Sequence, residues 1–146
     1  MKTVAEILKS KGSPVVYTIG PDSSVYEAIK LMAQHSIGAL VVLEGEQVVG
    51  IVTERDYSRK VILMDRSSSS TPVRAIMTGA VIYVQPGDDN QSCMALMTER
   101  RLRHLPVMAD GKLVGLISIG DLVKDIINEQ EFIISQLERY ISGVRG

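Results

Sequence analysis

"GIVTERDY", residues 50–57, returns as "GLISIGDL", residues 115–122, 65 positions later. Each phrase sets a glycine before branched apolar residues, then a hydroxyl residue, then an aspartate three positions on. The shift extends well beyond the phrase. Residues 16–63 align on 81–128 without a gap, with identities at Val16/Val81, Pro21/Pro86, Leu31/Leu96, Met32/Met97, Leu40/Leu105, Val42/Val107, Val49/Val114, Gly50/Gly115, Asp56/Asp121 and Ile62/Ile127. Ten matches at one fixed offset are roughly three times what background composition supplies, and they mark a duplication.

Each unit has the same grammar. "VVYTI" is a β-branched run broken by "GPDSS", where Ser23 or Ser24 is an N-cap for the amphipathic helix of "VYEAIKLMAQHS". Two strands follow, "ALVVL" and "VVGIV", joined by the turn-sized "EGEQ". Helical spacing resumes in "TERDYSRKVILM" through Tyr57, Val61, Ile62 and Met64. The second unit repeats this order through "VIYV", "NQSCMALMTERR", "LPVM", "LVGLIS" and "GDLVKDII". The expected fold is α/β (α+β): two β-α-β-β-α repeats packed pseudo-symmetrically as one module, with flanking helices. The expected division is 1–66 with an N-terminal helix in "VAEILKS", 67–128, and a helical extension over 129–146. "DRSSSSTP" between the units is an exposed, mobile linker by composition. The stripe Phe132, Ile133, Ile134, Leu137, Tyr140 and Ile141 packs either on its own module or on a second copy, which makes the chain a homodimer.

The totals narrow the function. With 146 residues, 45% hydrophobic, the chain is globular, and 16 Lys+Arg against 17 Asp+Glu leave a formal charge of −1. Nothing in bulk draws it to nucleic acid or an anionic membrane, so any anion site is local. Aromatics at 4% give no base-stacking platform. The apolar runs fall far below the roughly 20 residues of a membrane helix. Cys93 is the only cysteine; it lies on the buried stripe of its helix and fits a reducing compartment, the cytoplasm by default. His35 reads as a solvated or capping helix-end residue. Two histidines without ligand spacing make a metal site improbable. No Rossmann or P-loop fingerprint is present, and no second catalytic group stands beside the repeated aspartates.

Thr53 with Asp56, and Ser118 with Asp121, each have capping-box spacing, a structural role worth about 0.5 to 2 kcal/mol. Duplicated inside the whole phrase, with "IGALVV" and "RHLPVM" as preceding strands and "TIGPD" and "YVQPG" opening the helices, the pattern resembles the tandem CBS-domain family, or Bateman module, over about residues 1–128. The resemblance implies a disc with two clefts for adenosine compounds. AMP is expected first, with ADP, ATP, S-adenosylmethionine or a dinucleotide such as NAD as alternatives. It also implies that Asp56 and Asp121 hold ribose hydroxyls, which suits a carboxylate able to accept from both.

By the same resemblance, phosphate falls to cations at the strand entrance, where Arg103 and His104 of the second unit face only Gly38 and Ala39 in the first. Both residues also have ordinary readings, a solvated arginine and a hydrogen-bonded edge histidine beside Leu105 and Pro106. Free amides at the helix starts behind Thr53 and Ser118 are expected to assist, as is Arg55, whose counterpart is Gly120. Adenine is expected against Thr18, Ile19, Ile37 and Leu40 in one unit and Tyr83, Val84, Leu102 and Pro106 in the other, residues that equally suit a core. The expected function is regulatory: adenine-nucleotide sensing without catalysis, passed to a protein partner the sequence does not identify. The competing reading is a protein- or nucleic-acid-interaction module whose clefts stay empty.

Overall fold

A computed structural model describes residues 2–12 and 15–145; Met1 and Gly146, the ends of the expected first and last segments, lie outside them. In the first unit the "GPDSS" break ends β1 (Thr18–Ile19), and Ser24 caps α2 (Val25–His35), its Oγ accepting from Glu27 N at 3.1 Å. β2 (Ala39–Glu44) and β3 (Gln47–Thr53) form an antiparallel hairpin, with β1 parallel on the other side of β2. Ala39, Leu40, Val41 and Val42 are all buried, as expected for a central strand covered on both faces.

The helix expected after Thr53 is shorter than its periodicity. α3 (Glu54–Tyr57) widens into a π turn over Ser58–Ile62. Of the apolar positions there, Val61 is buried, whereas Ile62, Leu63 and Met64 face solvent. The second unit carries α4 (Asn90–Arg100), β4 (His104–Ala109) and β5 (Lys112–Ser118). Asp89 caps α4 through Ser92 N at 2.8 Å. Its expected opening strand "VIYV" contracts to one bridge, Val84 to Val107. Cys93 is buried on the α4 stripe, and burial pushes its thiol up to about 11, with Asp88 and Asp89 adding to the shift.

Each unit is completed by the segment that precedes the other. α1 (Val4–Ser10) docks on the second unit: Val4 N donates to Asp88 O at 2.7 Å, Ala5 N to Pro86 O at 3.0 Å, and Asn90 N to Lys2 O at 3.1 Å. The 3-10 turn Val73–Ala75 docks equivalently on the first, with Val73 N to Ser23 O, Arg74 N to Pro21 O and Val25 N to Thr71 O, each at 2.8 Å. Val4 and Ile7 thereby join Cys93, Met97, Leu105, Val107, Ile117 and Leu122 in one core. Val73 and Ile76 join Val25, Ala28, Met32, Leu40, Val52 and Val61 in the other. Each Val, Leu, Ile or Met among them contributes about 1.5–3 kcal/mol by burial.

The crossing explains the glycine of the duplicated phrase. A Cβ on Gly50 would stand 2.6 Å from Met77 Sδ and 3.0 Å from Thr78 O; one on Gly115 would stand 2.7 Å from Leu8 Cδ1. The exchanged segment lies directly on the strand, and only a residue without a side chain admits it.

Two expectations are corrected here. The serine-rich segment is exposed as expected at Asp65, Arg66, Ser67, Ser69, Ser70 and Pro72, but it is docked rather than loose: Thr71 is buried, Tyr26 N donates to Ser68 O at 2.9 Å, and the Tyr57 hydroxyl meets Ser68 Oγ at 2.9 Å. Tertiary hydrogen bonds override its composition. The final apolar stripe does not pack on its own module. α5 (Ile119–Arg145) is one helix through the expected boundary at 128, and Phe132, Ile133, Ile134, Leu137, Tyr140 and Ile141 are each about half exposed or more. No helix among the described residues is long and apolar enough to cross a membrane.

Candidate nucleotide clefts

The β3–α3 junction is held by a reciprocal capping box. Thr53 N and Oγ1 lie 2.9 and 3.1 Å from Asp56 Oδ2, while Asp56 N donates to Thr53 Oγ1 at 3.1 Å. The β5–α5 junction repeats it, Ser118 N donating to Asp121 Oδ2 at 2.8 Å and Asp121 N to Ser118 Oγ at 3.2 Å. The capping reading of both aspartates is therefore realised, with the second Asp56 oxygen on Lys60 and Asp121 Oδ2 shared with Lys11. The first-turn amides expected to be free are largely committed. Besides the capping bonds, Glu54 N donates to Gly38 O at 3.1 Å and Ile119 N to Arg103 O at 2.9 Å.

Of two clefts, the larger takes in the β3–α3 junction, whereas Ser118 and Asp121 of the β5–α5 junction, expected as ligand contacts, line neither. The larger, about 790 Å³, is shared between the units. Gly38, Thr53, Arg55 and Asp56 of the first unit face Leu102, Arg103, His104 and Pro106 of the second across it. It thus brings together eight residues singled out by sequence. Reasoning from sequence missed Ile51, Glu54, Arg59, Lys60, Thr78, Ala80, Val81, Ile82 and Arg101 in the same wall. Arg59 and Lys60 follow Asp56 at helical spacing, a signal that could have found them; Arg101 belongs to "ERRLRH", a run that reads as a solvated helix end.

The smaller cleft, about 340 Å³, is lined by Leu8, Lys11, Tyr17, His35, Ile37 and Leu116, among others. Here Lys11 Nζ reaches both Leu116 O and Asp121 Oδ2 at 2.9 Å. His35 is not simply solvated: its ring stacks on Tyr17 with centroids 3.7 Å apart.

Several expected contacts lie elsewhere. Ala39, Leu40, Val84 and Leu105 are buried side chains outside both cleft linings, Ala39 and Leu40 on β2, Leu105 on β4 and Val84 at its single bridge to Val107. Thr18 and Ile19 lie in β1, with Ile19 packed on the first core, and Tyr83 is exposed outside both clefts. Gly120 is in the first turn of α5 next to Ser118.

The electrostatics differ from a simple row of cations. Burial lowers the pKa of His104 and keeps it neutral at pH 7; the charges of Lys11 and Arg103 lower it further, against the opposing pull of Asp121. His104 is therefore an N–H donor rather than the cation expected. For Asp121, burial raises the pKa, but the Ser118 backbone bond and the Lys11 ammonium outweigh it and hold the carboxyl below its usual range. Asp56 is paired with Lys60 at 3.1 Å, and Lys60 Nζ also donates to Ile76 O at 2.8 Å. The larger cleft can accept vicinal hydroxyls at Asp56 and an anion at its arginines, beside an apolar wall of Val81, Ile82, Leu102 and Pro106.

Comparison with known proteins agrees with this architecture. The CBS domain profile matches residues 4–62 and 73–128. The chain is 43% identical, over 97% of its length and 72% of the relative's, to CBS domain-containing protein CBSX3, mitochondrial, from Arabidopsis thaliana. The solved structure of a protein with CBS domains from Burkholderia ambifaria MC40-6 superposes with a TM-score of 0.85 at 56% identity, covering 88% of this chain and 96% of that one. The CBS domain pair of protein MJ0100, solved in complex with 5′-methylthioadenosine and S-adenosyl-L-methionine, superposes at 0.78 and 23% identity over 88% and 98% of the two chains. With both repeats matched in order, this chain belongs to the CBS-domain family as a tandem pair.

Proposed function

We propose that the chain is a regulatory module that binds an adenosine-containing nucleotide in the Asp56 cleft and reports occupancy to a partner protein by a change of shape. The observation that carries this reading is the meeting, in one cleft shared by the two units, of the Asp56 carboxylate with Arg55, Arg103 and the donor His104. A ligand with hydroxyls at one end and phosphate at the other would draw both units together. Such a ligand shifts a conformational equilibrium only by its differential affinity for the two shapes. The adenosine-type ligands held by the MJ0100 domain pair support the ligand class. AMP is the smallest nucleotide meeting these contacts, and ADP, ATP or NAD extend it. The regulatory rather than catalytic reading is supported by relatives named as CBS domain-containing and signal-transduction proteins. The exposed stripe of α5 supports association as a homodimer. The single, buried cysteine supports a reducing compartment, the cytoplasm by default; the mitochondrial relative makes the mitochondrion the alternative.

The test is calorimetry of the full chain with AMP. Asp56→Ala is expected to weaken binding by roughly 10- to 100-fold, about 1.4 to 2.8 kcal/mol, with the fold retained. Unchanged affinity would return Asp56 to helix capping and remove the nucleotide reading.

A further inference from the structure

We infer that Lys11 is a built-in plug for the smaller cleft, its ammonium seated on Asp121 where a ligand's hydroxyls would otherwise bind, so that this cleft fills only as Lys11 leaves; the inference rests on the nucleotide reading above.

The two clefts are built from the same positions of the repeat. Tyr17, Ile37 and Leu116 line the smaller, and Ile82, Leu102 and Ile51, their counterparts at the offset of 65, line the larger. Yet Thr53 and Asp56 open onto the larger, whereas Ser118 and Asp121 line neither. The aspartates themselves do not differ, since their capping boxes match. What covers them does. The docked segments correspond at an offset of 69: Val4 and Val73, like Ile7 and Ile76, enter equivalent cores, and Leu8 lies against Gly115 as Met77 lies against Gly50. Carried on at that offset, Lys11 falls on Ala80, which brings only a methyl group to the larger cleft. At the smaller cleft the same place bears a side chain long enough to reach Asp121 Oδ2 and the Leu116 carbonyl, each at 2.9 Å.

The lysine on Asp56 does not plug in this way. Lys60 stands one helical turn beyond Asp56 and takes Oδ1 at 3.1 Å, and both residues remain in the wall of an open cleft. Lys11 arrives from a different element and takes Oδ2, the oxygen that also accepts from Ser118 N. Two hydroxyls reaching Asp121 therefore find one of its oxygens already holding two donors, one of them charged, and charge-assisted bonds are the strong ones. The Lys11 side chain is nonetheless 36% exposed, so it is held by these bonds and is free to swing into water. A plug seated about two-thirds of the time leaves a third of the molecules open and weakens apparent affinity about threefold, in keeping with the modest strength of a partly exposed pair. Its departure breaks the tie between the end of α1 and Leu116 of β5, so filling the smaller cleft loosens the exchanged segment.

Equilibrium dialysis of the full chain against AMP tests this, the site insensitive to Asp56→Ala being that of the smaller cleft. In Lys11→Ala that site is expected to tighten by about threefold or more, or to become measurable where the wild type shows none. The gain is expected to vanish in Lys11→Ala/Asp121→Ala. Affinity at the Asp56-sensitive site, expected to stay within about twofold, reports an intact fold. Should Lys11→Ala disturb it, Lys11→Gln, which keeps most of the stem without the charge, carries the same expectations. A smaller-cleft site that is absent from both proteins, unchanged or weakened by loss of Lys11, or tightened equally without Asp121, overturns the inference and leaves the nucleotide reading intact. AMP failing to bind wild type and variant alike overturns both.

Discussion

The Lys11 ammonium lies 2.9 Å from Asp121 Oδ2, supplying from the exchanged N-terminal segment the charge that Lys60 supplies to Asp56 from the same helical turn. The difference follows from one position. Lys60 aligns with Asp125 in the second unit, so there the i, i+4 partner of the aspartate is another acid, turned inward to accept from Asn90 Nδ2 at 2.7 Å.

Lys11→Met should therefore act on the acid limb of stability. Asp121 has a lowered folded pKa, so its contribution is present above the unfolded value of about 3.9 and is lost as pH falls through the folded one. Removing the ammonium is expected to cost on the order of 0.5–1 kcal/mol at pH 7, discounted for the partial exposure of the pair. The deficit should close as pH falls below about 4. Denaturation curves showing a gap that persists at pH 2 would mean that Lys11 stabilises by packing.

The exchanged segments make a second prediction, with an order. Gly50→Ala forces a Cβ against the Thr78 carbonyl as well as Met77, whereas Gly115→Ala meets only side-chain carbons of Leu8. Overpacking of this kind costs about 1–3 kcal/mol, with Gly50→Ala expected to be the more damaging because backbone cannot turn aside. Urea unfolding measures both. The reverse ranking would show that the β3 strand moves away from the exchanged segment more readily than Leu8 can rotate.

The same crossing marks how far the sequence was legible. The paired helices α2 and α4, both hairpins and both capping boxes follow from period, caps and the constant shift of 65. The exchange does not, because Val4 answers Val73 at a shift of 69; four extra residues between α1 and β1 hide the match. The opening strands are shorter than the β-branched runs "VVYTI" and "VIYV" suggest: β1 is two residues long, and the second run makes one bridge at Val84. Asp56 was legible from the repeat, and Arg103 and His104 from the repeat read together with the family resemblance; all three line the larger cleft. Their charge states were not: His104 is neutral through burial, which no local pattern encodes.

That neutrality is measurable on binding. If a phosphate meets His104 Nε2 or Nδ1, the anion favours the protonated ring and raises its pKa from the lowered free value. AMP binding near pH 6 should then take up protons, seen as a dependence of calorimetric heat on the ionisation enthalpy of the buffer. The uptake should vanish in His104→Gln and at pH 8, where the ring is neutral with or without ligand. Buffer-independent heat at pH 6 would place the phosphate away from His104.

The last half of α5 carries the remaining prediction. Ile127, Ile134 and Ile141 recur every seven residues, with Val123 and Leu137 at the intervening spacing, and all five are exposed. This is the period at which one helix seam meets another. The stripe continues from the part of α5 that packs by Leu122 on the second core into the part with no intrachain cover, so a second α5 laid along it would bury apolar surface over both. Burial of a single such side chain is worth about 1.5–3 kcal/mol, and several together exceed what association entropy removes at micromolar concentration. Sedimentation at tens of micromolar should find a dimer, and Ile134→Glu/Leu137→Glu should give a monomer with the module's melting transition little changed, because neither side chain reaches either core. Truncation after Asn128 should do the same. A wild-type monomer, or a charged variant that still dimerises, would move the interface to another face, with the exposed Ile62, Leu63 and Met64 at the end of the first unit the next surface to charge.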